Sequence, residues 1–277
     1  MTHEQVLEAW RRGGASRDRV LVKLSQEDVL GWATRLLPGP AESRRLAATL
    51  LSRSPHPEDA LTFLQRLATD GDRHTRDAAA HAAGGLLIQH FDEVYPILGA
   101  WRTDSNPLVR RAVVLIAGVA ADPLRLDRVG PLLRLLDPLL TDRAIEVRSA
   151  LEGVFSHALF AAYPDDTFEC LTCWSASHDE QVLWHVATAL AGAPSPMARR
   201  ALIVLRRVAL DERRYVRGAV ARALVRLAVT CPDAVAGELR RWLEDPERGS
   251  IAREALGRID EEVTGSKPVA ARSRSAG

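Results

Sequence analysis

An all-α solenoid of about seven stacked helical hairpins is the fold this sequence predicts, and three observations predict it. Hydrophobic residues make up 47%, charged residues 26% and aromatics only 5%. Alanine and leucine dominate, and strong helix formers at that density favour helices. A frame of Asp-x5-Arg-x-Ala recurs at Asp70–Arg76–Ala78, Asp104–Arg110–Ala112, Asp142–Arg148–Ala150 and Asp211–Arg217–Ala219. Each frame opens a segment whose apolar residues step by three and four, as in Val216, Ala219, Val220, Ala223, Leu224 and Leu227. That spacing turns one helical stripe towards a core.

In chain order, residues 1–38 read as a helical cap. There SQED at 25–28 resembles a capping box ahead of Val29, Leu30, Trp32 and Ala33. Residues 39–260 read as the solenoid. A worn copy of the frame, Gly39–Arg45–Ala47, leads it. At Asp179 the arginine becomes His185, followed by Ala187, and at Asp245 it is displaced to Arg253. The starting points 39, 70, 104, 142, 179, 211 and 245 lie 31 to 38 residues apart, a period that signals a repeat architecture. The leading aspartate is expected to cap its helix by accepting from orphan backbone N–H groups. Between frames a second helix starts at an acidic residue: Glu58–Asp59, Asp92–Glu93, Asp127, Asp165–Asp166 and Asp233. Pro164 and Pro232 mark two of these turns, and Met197–Leu210 fills the slot without an acidic start. Residues 261–277, small, polar and mildly basic, read as a disordered tail.

The repeating hairpin resembles the HEAT-repeat superfamily over residues 39–258. That resemblance implies a right-handed superhelix in which the frame aspartate and arginine bond between neighbouring repeats. It makes Arg110 structural, because four repeats carry arginine there, and leaves Arg111 particular to its repeat. The stretches WRTDSNPLVRRAVV (101–114) and VRGAVARALVRLAVTCPDAV (216–235) resemble, more specifically, the bacterial alkylpurine DNA glycosylases built from HEAT-like repeats. In that family the arginine matching Arg110 belongs to the DNA-facing site. The family's catalytic aspartate falls on Arg76, with Asp77 adjacent; its tryptophan falls on Asp72 and its second aromatic near Gly153. Three of the four family positions are thus changed, and the aromatic faces that shelter a cationic base are replaced.

Composition narrows the function classes further. The net charge of +1 gives no global pull towards nucleic acid or membrane. The longest apolar run, Ala112–Ala121, is about half a membrane span. Three cysteines and a start without a signal-peptide core lead us to expect a cytoplasmic protein with reduced thiols. Charge is uneven: residues 199–258 hold fourteen arginines and eight acids, whereas 137–180 hold nine acids and two arginines. The acidic stretch disfavours a polyanion following the whole groove, while duplex DNA at the basic C-terminal repeats stays open as an alternative.

In such solenoids the frame helices line a concave surface. Counting from the frame arginine, the lane five residues on reads His81, Leu115, Gly153, Leu190 and Arg222; nine residues on it reads Gly85, Val119, His157, Pro194 and Arg226. The expected role is a non-catalytic scaffold that presents this surface to a protein partner, with no membrane association. The candidate partner-binding residues are Arg110, Arg111, Leu115, Val119, Trp184, His185, Leu190, Arg213, Arg214, Arg222 and Arg226. Trp184–His185 reads either as an interaction anchor or as a bulky filler beside Ala187, Ala191 and Gly192. Trp101 and Trp242, each three residues before a frame aspartate, read as core. CLTCWSASH at 170–178 has the Cys-x2-Cys spacing of a zinc site but lacks a fourth ligand beyond a stand-in such as His185, so two cysteines packed as small apolar residues is the preferred reading. His74 and His81, about 10 Å apart along one helix, are too far separated to share a metal. No catalytic residue, metal or cofactor is assigned.

Overall fold

The computed structural model describes residues 2–25 and 28–265, and the regular structure among them is helical throughout. The fold is an all-α solenoid of hairpins. The described residues form two compact units. One runs up to Val154 and includes Ala161–Tyr163; the other comprises Phe155–Phe160 and the chain from Pro164 onward.

The first unit opens with α1 (His3–Arg12) and α2 (Gly14–Ser25), which pack on each other. Gly13 and Gly14 join them with φ of +67° and +50°, a left-handed conformation that a Cβ would strain. Four hairpins follow: α3 (Val29–Leu36) with α4 (Ala41–Leu51), α5 (Pro57–Leu67) with α6 (Arg73–Gln89), α7 (Phe91–Trp101) with α8 (Pro107–Val119), and α9 (Val129–Leu136) with α10 (Ile145–Gly153). Because α3 packs on α4, the first hairpin begins ten residues ahead of the frame at Gly39. The second helices stack directly, α4 on α6, α6 on α8 and α8 on α10.

Between α10 and the next hairpin the chain passes through a π-helical stretch, Val154–Leu159, and the short α11 (Phe160–Ala162). The second unit then repeats the pattern with α12 (Pro164–Trp174) and α13 (Glu180–Leu190), α14 (Ala198–Val208) and α15 (Arg214–Thr230), and α16 (Pro232–Leu243) and α17 (Gly249–Gly265). Here α13 stacks on α15 and α15 on α17. Helix α17 runs through 261–265, and the rest of the expected tail, 266–277, lies outside the described residues.

The apolar stripes meet as their spacing requires. In α15, Val216, Ala219, Val220, Ala223, Leu224 and Leu227 are all buried, and Trp101 and Trp242 are core residues. The leading aspartates are not, in general, the caps. Asp70, Asp104, Asp142, Asp179, Asp211 and Asp245 each accept the backbone N–H of the residue two positions on, at 2.7–2.9 Å. This is an Asx turn, in which a short carboxylate closes the bend before the helix. The cap of α6 is Asp72 and that of α8 is Asn106; Asp179 alone of these three is both frame residue and cap. At α3 the cap is Asp28, accepting from Gly31, while Gln26 and Glu27 of the expected capping box lie outside the described residues.

Close helix approach in the second unit depends on Gly192. A Cβ there would stand 2.5 Å from the Ser156 carbonyl oxygen and 2.7 Å from its Cα. The obstacle is backbone and cannot swing aside. Gly192→Ala is therefore expected to destabilise by about 1–3 kcal/mol. Gly237 in α16 has open space around the same position, so Gly237→Ala should instead stabilise by about 0.5–1 kcal/mol. Thermal melts of the two variants side by side check the contrast.

Candidate functional site

The frame arginines build a ladder between hairpins. Arg110 donates Nη1–H to the carbonyls of Asp104 and Ser105, at 2.8 and 3.0 Å. Its other edge, Nε and Nη2, holds both oxygens of Asp142 in the next hairpin, at 2.5 and 3.1 Å. Two hairpins earlier, Arg44 holds Asp70 the same way, at 2.6 and 3.0 Å. A bidentate fork of this kind is the strongest form of such a bond, and it raises the affinity of Arg110 for its proton. In the second unit Arg217 reaches the adjacent hairpin at the Glu247 carbonyl and the Ser250 hydroxyl, both at 2.6 Å. Arg213 takes up Asp211, two residues away, and ties it to the His178 carbonyl at 3.1 Å. It lies where the frame arginine has become His185.

One rung is open. Arg76 donates Nη1–H to the carbonyls of Asp70 and Gly71, at 2.7 and 3.1 Å, as Arg110 does at its own turn. Its expected carboxylate, Asp104, is occupied by the amide of Gln65 at 3.0 Å and the N–H of Asn106 at 2.8 Å. The buried Nε of Arg76 has no acceptor, and Arg76 makes no ion pair among the described residues. A buried charged donor left unmet costs about 1–3 kcal/mol or more.

Arg76 borders a cleft of about 540 Å³ on the face formed by α6, α8 and α10. Arg73 and Arg111 also line it, with Glu146 and Ser149 opposite and Leu108, Leu115, Ile145 and Val154 as apolar wall. Arg111 is anchored at 2.6 Å by Asp77, which stands 3.7 Å from Arg73. Arg73 is 77% exposed and Ile145 62% exposed. A second cleft of about 670 Å³ in the other unit is lined by Arg222, Val225, Arg226, Arg258 and Glu261.

Several expected site residues therefore converge and others do not. Arg111 and Leu115 line the first cleft, and Arg222 and Arg226 the second. Val119 is half-buried against Gly84, where a Cβ would meet it at 2.5 Å. Arg214 is exposed. Arg110 and Arg213 are consumed by Asp142 and Asp211, which corrects their reading as partner contacts. Leu190, expected in the exposed lane, is fully buried, because α13 is covered on every side from Val182 to Leu190. Trp184 and His185 are buried in the same helix, and Trp184 stacks on Tyr215 with ring centroids 5.5 Å apart. Trp184 is thus a filler of the second unit's core rather than a surface anchor. Cys170 and Cys173 share α12, and among the described residues no group of three or more His, Cys, Asp or Glu is placed to hold a metal. Arg73, Ile145, Glu146 and Ser149 were not singled out from the sequence, and Arg76 was not read there as a partner contact, since only the cleft brings them together.

Residues 31–117 match the family model of HEAT repeats. This stretch is similar to HEAT repeats. It runs from within α3 to most of α8, and includes the open rung. No curated protein matches the chain. Among solved structures the chain is similar to AlkD2 from Streptococcus mutans, at 18% identity and a TM-score of 0.54, covering 74% of this chain and 100% of that one. It is equally similar to smu.31 from Streptococcus mutans UA159, at 18% identity and a TM-score of 0.52, covering 70% of this chain and 96% of that one. At these identities the likeness is one of fold.

Proposed function

We propose that the protein is a non-catalytic binding scaffold that offers the second-helix face of its first unit to a protein partner. The cleft across α6, α8 and α10 carries this reading. It sets three arginines beside an apolar wall that includes the exposed Ile145, and mixed walls of that kind suit a polypeptide better than a bare polyanion. No lining residue is aromatic. Asp77, next to the position where the alkylpurine glycosylases carry their aspartate, is held between two guanidinium groups, as a structural ion pair would be.

The test is a photoreactive residue placed at Leu115, followed by purification with and without nuclease. Cross-linking to one protein that survives nuclease supports the scaffold. Products lost with nuclease contradict it.

A second reading, duplex DNA binding, is favoured by the exposed Arg222 and Arg226 beside Arg258 and by the fold shared with AlkD2. It predicts duplex affinity that falls steeply with salt and is lost in Arg222→Glu with Arg226→Glu. Salt-titrated anisotropy with a short duplex decides it.

A further inference from the structure

We infer that the open rung at Arg76 is a receptor for a carboxylate carried by an acidic, partly apolar protein segment. The inference rests on the scaffold reading and names the chemistry of its partner. In the rungs on either side, the fork edge of an arginine is filled by an aspartate: Arg44 by Asp70, and Arg110 by Asp142. Arg76 is held at its turn by the same pair of carbonyl bonds, so its guanidinium is fixed in place before any ligand arrives. Its own aspartate has been drawn off by Gln65. What remains is a guanidinium fixed in place with no ion-pair partner among the described residues; its Nε is buried, but the residue lines the cleft, where a carboxylate can make a charge-assisted contact to it at little ordering cost.

The surroundings choose among anions. Arg73 adds an exposed positive charge with Asp77 no nearer than 3.7 Å, so it can swing towards a ligand. Leu115, Ile145 and Val154 give a neighbouring apolar side chain somewhere to go. Glu146 on the facing wall repels a second negative charge placed deeper. A segment alternating acidic and apolar residues satisfies all three. A nucleic acid backbone, with a charge at every step and no apolar side chain, satisfies the first alone.

The probe is a fluorescein-labelled octapeptide alternating leucine and glutamate, followed by anisotropy at near-physiological salt. Its leucine–lysine counterpart and a short duplex serve as competitors. The full chain should bind the glutamate peptide. Arg76→Gln and Arg73→Glu should each weaken it by at least about tenfold, as loss of a charge-assisted contact does, while Arg66→Gln on α5 should leave it unchanged. Circular dichroism and melting confirm that each variant folds. Should Arg76→Gln fail to fold, Arg73→Glu carries the test alone, because its side chain is 77% exposed. Undiminished binding by a folded variant, equal binding of the lysine peptide, a duplex that displaces the glutamate peptide, or no binding by the wild type each overturns the inference. If a nuclease-resistant partner cross-links at residue 115 equally well in Arg73→Glu and Arg76→Gln, this inference fails and the scaffold reading stands. Products seen only with nucleic acid present would remove the scaffold reading itself.

Discussion

Glu238→Ala is expected to destabilise the second unit by about 3–5 kcal/mol, the range for removing one partner of a buried ionic network. The Glu238 side chain is 4% exposed. It accepts from Arg206 at 2.6 and 2.7 Å, and from the indole N–H of Trp242 at 2.6 Å. Arg241 adds a second cation at 3.2 Å. Alanine removes every acceptor at once and leaves the indole N–H of Trp242 buried and unpaired. Glu238→Gln keeps one acceptor oxygen, so about 1–3 kcal/mol is expected. Urea unfolding measures both, and equal losses for the two variants would contradict this ordering.

The same carboxylate sets an acid limit. Burial pushes the Glu238 pKa up, but the bonds from Arg206 and Trp242 outweigh burial and hold it below the ordinary 4.5. The bond from Arg213 likewise holds Asp211 below its usual value. A carboxylate whose folded pKa is depressed contributes stability that is complete above the unfolded pKa and is lost as pH falls through the folded one. The melting temperature of the second unit should therefore hold steady well above pH 4.5 and fall below it. Glu238→Gln should fall less steeply.

Arg110→Ala is the second large effect, at about 3–5 kcal/mol by the same reasoning. The Asp142 side chain is 8% exposed, and Arg110 ties it to the preceding hairpin. Removal also frees the carbonyls of Asp104 and Ser105. Neighbouring exposed arginines give the contrast: Arg66→Ala, on the outside of α5, should lie within about 0.5 kcal/mol of wild type. Denaturation of the two variants tests whether the ladder, rather than arginine content, stabilises the first unit.

Most of the fold was legible because it repeats. The six frame aspartates all close the same turn, and the three-and-four spacing after them placed the buried stripes. The lane five residues after the frame arginine includes Leu115 and Arg222, which line the two clefts. It failed at Leu190, because the rule assumes one open side on each second helix and α13 has none between Val182 and Leu190. The worn first copy misled in a different way. Arg45 keeps the frame spacing, yet it is Arg44 that forks onto Asp70 while Arg45 reaches Asp72 at 3.3 Å. The interruption at Val154–Leu159 has no sequence signal in the frame count, which passes over it at an interval of 37 residues between Asp142 and Asp179.

The open rung could not be read at all from one sequence. Arg76 has an aspartate at the proper interval, Asp104, and the spacing alone pairs them. Only the side-chain positions show Gln65, from the hairpin's first helix, in possession of that carboxylate. Competition between one amide and one guanidinium for the same two oxygens is decided by geometry, and periodicity does not record it.

Arg76 and Arg110 each bond two carbonyls at their own turn, and only Arg110 adds a carboxylate fork. Urea unfolding of Arg76→Gln and Arg110→Gln, measured together, isolates that fork. Arg110→Gln should lose at least about 2 kcal/mol more than Arg76→Gln, the difference expected for stranding a buried carboxylate. Equal losses, or a larger loss at Arg76, would mean that the rung at Arg76 is closed and that no guanidinium stands ready for a partner.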